Sequence, residues 1–170
     1  MKAKAVLFVV VLFFYLTIPK NILAGLYINE FSSGTTSDWI EIYNSDPTEI
    51  DLVDYILRDS TTTSNKLELS GVISGSGFLA FDWSNKLNNS GDTIRLLKKT
   101  DESSVDQIIY GDGGAFGTLS DVQTAGRTPD GSQNWVILSS SSGGSNNAAS
   151  AVPTHTPSPT NSPTPTKTPT

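Results

Sequence analysis

Asp38-Trp-Ile-Glu-Ile-Tyr-Asn44, Ser45-Asp-Pro-Thr-Glu49 and Ile50-Asp-Leu-Val-Asp-Tyr-Ile-Leu-Arg58 follow one another without a break, and their reading decides the fold. Ile40 and Ile42 alternate with Trp39, Glu41 and Tyr43, the period of two that sends one set of side chains to each face of a strand. Pro47 fixes φ and offers no N–H to a ladder, so the chain leaves the strand there. Ile50, Leu52, Tyr55, Ile56 and Leu57 then begin a second extended run. With so short a connection, the two runs are expected to pair antiparallel.

Working outward, Leu26-Tyr-Ile-Asn-Glu-Phe31 reads as a strand before this stretch. Leu67 and Leu69, alternating with Lys66 and Glu68, read as a short one after it. Gly71, Gly75 and Gly77 mark a turn. Phe78-Leu-Ala-Phe-Asp-Trp83 is apolar on both faces and is expected to be a central strand. Thr93-Ile-Arg-Leu-Leu97 and Val105-Asp-Gln-Ile-Ile-Tyr110 form a hairpin with Ile94 and Leu96 inward. The return strand has Val105 and Ile109 on one face and Ile108 and Tyr110 on the other, a conflict that a bulge would reconcile. Gly111 to Gly126 lacks apolar periodicity and is expected to be a long loop that packs Phe116 and Leu119 loosely at most. Arg127 to Ser132 has turn chemistry, Asn134 to Leu138 is the last strand, and the serine and glycine of Ser139 to Ser145 give a core nothing to use. No useful helical stripe occurs between Gly25 and Asn147. The expected class is all-β.

The ends differ in kind. Lys2 and Lys4 precede an apolar run from Ala5 to Leu16 that Thr17, Pro19 and Lys20 interrupt. That is the layout of an export signal with cleavage after Ala24, since an anchor helix needs roughly 20 apolar residues. Residues 148–170 repeat proline and threonine, which excludes helix, sheet and core and gives an extended spacer. The expected organisation is therefore 1–24 signal peptide, 25–147 domain and 148–170 linker or stalk, the last leaving room for a further module.

Composition narrows the chemistry. With no cysteine there is no disulfide, thiolate metal site or cysteine nucleophile. Leaving out Lys2, Lys4 and Lys20, 8 basic residues stand against 17 acidic, or −9. Such a surface repels phosphate backbones, and beyond Lys98-Lys99, read as a solvated hairpin edge, no basic run offers a nucleic acid a foothold. The single histidine, His155, lies in the Pro/Thr tail, so a Ser/His/Asp or histidine-ligated site has nothing to build on. Neither a phosphate-binding G-x-x-x-x-G-K-[ST] nor a G-x-S-x-G elbow occurs. Carboxylates at Glu30, Asp38, Glu41, Asp46, Asp51 and Asp54 suffice for a glycosidase-type pair about 5–9.5 Å apart, but short strands offer no obvious cleft. Glu30 and Glu41 sit inside apolar strands. Facing one another, they would share a proton, hold a cation such as calcium, or accept bonds from Arg58 or Arg95; exposure to solvent is the alternative. Trp39, Trp83 and Trp135 are expected in the core, an exposed indole being the form that would stack on a sugar ring.

Several pieces, taken in order, resemble the lamin-tail domain family. They are Ile28-Asn-Glu-Phe31, Asp38 to Asn44, Ile50-Asp-Leu52, Gly77-Phe-Leu-Ala-Phe81, Leu87 to Leu97, Val105-Asp106 with Tyr110-Gly-Asp112, and Gly126-Arg-Thr-Pro-Asp-Gly-Ser132 with Trp135. Val53-Asp-Tyr55 and Ser74-Gly-Ser76 depart from the family's Ser-Gly-Trp and Pro-Ala-Gly turns. The resemblance implies an immunoglobulin-like antiparallel β-sandwich over about residues 27–147 and a binding or scaffolding module with no active site or cofactor. The resulting expectation is a secreted or cell-surface module that contacts a protein or a surface polymer. A carbohydrate-binding accessory module of a secreted hydrolase is the first alternative, and a small carboxylate-dependent hydrolase the second.

Overall fold

The structure, a computed structural model, describes residues 25–34, 37–60, 65–139 and 144–146. The expected export segment, most of the Ser/Gly run and the Pro/Thr tail with His155 lie outside these residues. The described chain forms β1 (Leu26–Ser32), β2 (Trp39–Asn44), β3 (Ile50–Asp51), β4 (Tyr55–Arg58), β5 (Lys66–Glu68), β6 (Val72–Ile73), β7 (Phe78–Asp82), β8 (Gly91–Lys98), β9 (Ser104–Gly111), β10 (Gln123–Arg127) and β11 (Trp135–Ser139). Among them is no α-helix. All pairings are antiparallel: a five-stranded sheet ordered β11-β10-β1-β2-β7, a four-stranded sheet ordered β5-β4-β8-β9, and the small pair β3-β6.

One apolar core lies between the two larger sheets. Ile28, Phe31, Ile40, Ile42 and Ala125 enter it from the five-stranded sheet, and Leu57, Ile94, Leu96, Ile108 and Tyr110 from the four-stranded one. Alternation holds where it was expected, since Ile40, Ile42, Ile94 and Leu96 are fully buried. The conflict in β9 resolves toward Ile108 and Tyr110, with Ile109 left 45% exposed. Leu96 faces Asp106 while Leu97 faces Ser104, so Val105 is the extra residue of a bulge.

Four expectations are corrected. The runs on either side of Pro47 do not pair: β2 lies between β1 and β7, whereas β4 lies between β5 and β8 in the opposite sheet. The intervening residues carry the chain from one layer to the other, and β3 pairs with β6 inside the stretch read as a glycine turn. β7 is an edge strand, half-buried, because its second side meets no strand among the described residues. The presumed loop 111–126 contains the start of β10, a strand between β1 and β11, and Leu119 is buried in the core. Gln123-Thr-Ala-Gly-Arg127 has no apolar alternation because Ala125 alone meets the core while Thr124, Gly126 and Arg127 are buried for polar or steric reasons. At the far end of the β8–β9 hairpin Gly91 faces Gly111, both at positive φ (139° and 87°). A Cβ on Gly111 would lie 2.4 Å from the Gly91 Cα, so the strands approach this closely only without side chains.

A domain of this size is stable by roughly 5–15 kcal/mol, and an unpaired carboxylate at a fully buried isoleucine costs several kcal/mol. Ile42→Asp is therefore expected to abolish cooperative thermal unfolding, followed by circular dichroism, whereas Ile109→Asp on the exposed face of β9 is expected to leave it nearly unchanged.

Candidate functional site

The sequence-selected acids meet as expected, but under cover. In β1 Ile28 faces Ile42 and Glu30 faces Glu41, which makes Asn29 a bulged residue. The bulge turns Asn29 toward Glu41 and Asp130. Its Nδ2 donates to Glu41 Oε1 at 3.2 Å and to Asp130 Oδ1 at 3.0 Å, and its Oδ1 accepts from the Gly131 N–H at 3.0 Å. Thr124 Oγ1 donates to Glu30, and the Gly144 N–H donates to Glu41 Oε2 at 3.0 Å. The Ser145 hydroxyl and the Asn146 N–H both donate to Asp130. Glu30, Glu41, Asn29 and Asn146 are wholly inaccessible to solvent.

Glu30 and Glu41 are thus neither exposed nor bonded to the two arginines considered: Arg58 pairs with Glu102, and Arg95 donates to the Asp59 carbonyl. Nor is the end of the Ser/Gly run idle, because Gly144 binds Glu41 and Ser145 binds Asp130. Among the described residues no group of three or more acidic or histidine side chains is placed to hold a metal ion. Glu41 and Asp130 are occupied in joining the segment 144–146 to β1, β2 and the 130–131 turn.

A second buried polar group ties the two sheets together. Arg127, the last residue of β10, is 1% exposed at its side chain. Its Nη2 donates to both carboxylate oxygens of Asp106 at 3.0 and 2.9 Å, its Nε to the Ile28 carbonyl at 2.8 Å, and its Nη1 to the Ser132 carbonyl. The Ile28 N–H in turn donates to Asp106 Oδ2 at 2.8 Å. Since the register places Glu30 opposite Gly126, β10 runs out beside Ile28, and Asp106 and Arg127 supply the acceptor and donor that a longer strand would have given. Burial pushes the Asp106 carboxyl above its ordinary range, while the Arg127 guanidinium and the N–H groups of Ile28 and Gln107 pull it down. Trp135 lies under the guanidinium, 4.8 Å from ring centre to Cζ, and packs edge-on against Phe31.

That places Trp135 against the core, as expected; Trp83 is buried, and Trp39 is half-buried on β2. None of the three forms an exposed platform. Asp38, also buried, accepts from the Lys86 and Leu87 N–H groups at 2.9 Å and holds the turn after Trp83, burial raising its pKa. Asp46 accepts no side-chain role in this network, while Asp51 accepts from the Val53 N–H within its own turn.

Sequence reasoning missed a concave surface among the described residues. A shallow depression of about 330 Å³ lies at the Gly91–Gly111 end of the hairpin, lined by Ser60, Ser90, Gly91, Asp92, Thr93, Ile109, Tyr110 and Asp112. Asp92 shapes its floor, accepting from the Ser60 N–H at 2.9 Å and the Thr93 N–H at 2.7 Å through one oxygen and from Asn88 through the other. Tyr110 donates to the Asn88 carbonyl at 2.8 Å, and burial raises its phenol. What stays accessible is hydroxyls, the exposed Asp112, and Ile109. Facing glycines at the end of a hairpin were the available signal.

No protein-family model matches the chain, and neither a curated protein nor a solved structure matches it.

Gly126 lies beneath Asn146. A Cβ there would stand 2.6 Å from Asn146 Nδ2 and 2.7 Å from Leu138 Cδ1. Gly126→Ala is expected to destabilise the domain by about 1–3 kcal/mol, the usual range for overpacking, and to speed hydrogen exchange at the Gly144 and Asn146 amides. Unchanged exchange at those two amides would show that the segment is held by something else.

Proposed function

We propose that this chain is a non-catalytic binding or scaffolding module of the lamin-tail type, with an immunoglobulin-like sandwich exported by residues 1–24 and carried on the 148–170 spacer. It acts outside the cell or at its surface, contacting a protein or a surface polymer. One observation carries this reading: the buried polar residues among those that carry the resemblance are consumed by the architecture. Asn29 forms the bulge, Glu30 accepts from Thr124, Asp38 holds a turn, Glu41 binds the Gly144 amide, Asp106 and Arg127 bind each other and β1, and Asp130 anchors Asn146. Motif residues spent in this way support a scaffold that presents a surface, and the depression beside Ile109 is the surface it presents.

A second reading, a carbohydrate-binding accessory module, is favoured by the hydroxyls of Ser60, Ser90 and Thr93 beside the Asp112 carboxylate in that depression. It differs in mechanism from sugar stacking on an exposed tryptophan. The two readings separate in one experiment: cosedimentation of the chain with cell envelopes before and after protease treatment, beside intrinsic fluorescence during titration with soluble polysaccharides. The first reading predicts saturable adsorption that protease abolishes, that Ile109→Asp weakens by at least about tenfold (roughly 1.4 kcal/mol), and that leaves fluorescence unchanged by polysaccharide. Quenching or a spectral shift by a polysaccharide would replace it with the second, and adsorption to neither would refute both.

A further inference from the structure

Four strands form the outer edges of the two larger sheets, and they differ in how they meet water. β5 carries Lys66 and Glu68, β7 ends on the exposed Asp82, and β9 is closed at one end by the loop after it, where the Ala115 N–H donates to the Ile109 carbonyl and the Gly111 N–H to the Phe116 carbonyl. Charges and covering loops are the usual protection of a sheet edge. β11, Trp135-Val-Ile-Leu-Ser139, has neither charge nor proline.

The phase of its ladder is fixed. The Thr128 N–H donates to the Asn134 carbonyl at 3.0 Å, and Arg127, Gly126, Ala125, Thr124 and Gln123 then face Trp135, Val136, Ile137, Leu138 and Ser139. Opposed residues in an antiparallel pair alternate between bonded and non-bonded. Val136 and Leu138 therefore turn their backbone groups toward β10, and Trp135, Ile137 and Ser139 turn theirs away. Among the described residues no backbone group bonds to that outer side. These outward residues are symmetric about Ile137.

We propose that β11 pairs antiparallel with β11 of a second copy of this chain, about a two-fold axis through Ile137, so that one continuous sheet runs through both molecules. Ile137 then faces Ile137, and Trp135 faces Ser139, each pair exchanging both of its outward hydrogen bonds; an isologous contact of this kind closes on itself and stops at two copies. Charge favours this edge over the others. Each copy is strongly acidic, with a formal charge of −6 over the whole chain, so two copies repel one another at a distance, and an uncharged strand is where they can meet without opposing carboxylates. Screening that repulsion strengthens the association.

The test is sedimentation equilibrium of the full chain over a concentration series at low and high salt, with amide exchange read residue by residue. A monomer–dimer equilibrium that tightens with salt is expected, together with exchange at Trp135, Ile137 and Ser139 that slows as concentration rises. Val136 and Leu138, already bonded to β10, should show no such dependence. Ile137→Pro removes an N–H that β10 does not use, a position where an edge strand tolerates proline, and is expected to weaken dimerisation by at least about tenfold. A monomer at every concentration would overturn the proposal, as would a dimer that loosens with salt or one whose protection lies elsewhere. If Ile137→Pro fails to fold, the exchange pattern of the unaltered chain decides.

Discussion

The ion pair between Arg127 and Asp106 is the constraint around which the two sheets are set. Arg127 closes β10 in one sheet, and Asp106 stands beside the Val105 bulge of β9 in the other. Between them they take up both the N–H and the C=O of Ile28, groups that would otherwise be left in the interior without partners, at a cost of about 1–3 kcal/mol each. A buried ion pair is not in itself strong evidence of stability, because desolvation offsets much of the attraction. Here it fixes geometry instead: it sets how far β9 can slide over β1 and where Trp135 lies against Phe31.

Polar residues buried on the other face of the same sheet follow a similar logic. The Asn29 bulge brings an amide between two carboxylates, and the chain returns after β11 to donate the Gly144 and Asn146 N–H groups to them. Two glutamates opposite one another in a sheet would ordinarily repel. Glu30 accepts from Thr124, and Glu41 from Asn29 and Gly144, so each is held as a hydrogen-bond acceptor. Chemistry of the kind that paired carboxylates perform needs an accessible cleft, and these two are sealed from solvent. In the reading proposed above, contact with another molecule falls to the outer surfaces, at the hairpin depression and at the open strand edge.

Much of this fold was legible in the sequence, for a physical reason. Period-two alternation around Ile40, Ile42, Ile94 and Leu96 reports a strand with one face in a core, and those residues are buried. β10 escaped because its burial follows from Arg127, Gly126 and Thr124, residues whose reasons for being inside are an ion pair, a close approach and a hydroxyl bond; none leaves an apolar signature. Pairing across Pro47 was misread because loop length constrains distance more than it constrains which sheet the next strand joins. The facing of Glu30 and Glu41 could be anticipated from adjacent strands, whereas their cover by Gly144 to Asn146 depends on contacts across more than a hundred residues that no local pattern encodes. Phe78 to Trp83 is apolar on both sides, yet it is an edge strand whose Leu79 and Phe81 pack on the core while Phe78 stacks on Tyr43 on the outer face beside exposed Ala80.

The most direct measurement is a double-mutant cycle by chemical denaturation on Arg127→Met, Asp106→Leu and the pair together. If this ion pair fixes the sheets, each single replacement costs about 3–5 kcal/mol by stranding a buried charge, and the double variant recovers a large part of the loss. Single losses that simply add, with a coupling energy near zero, would contradict the account.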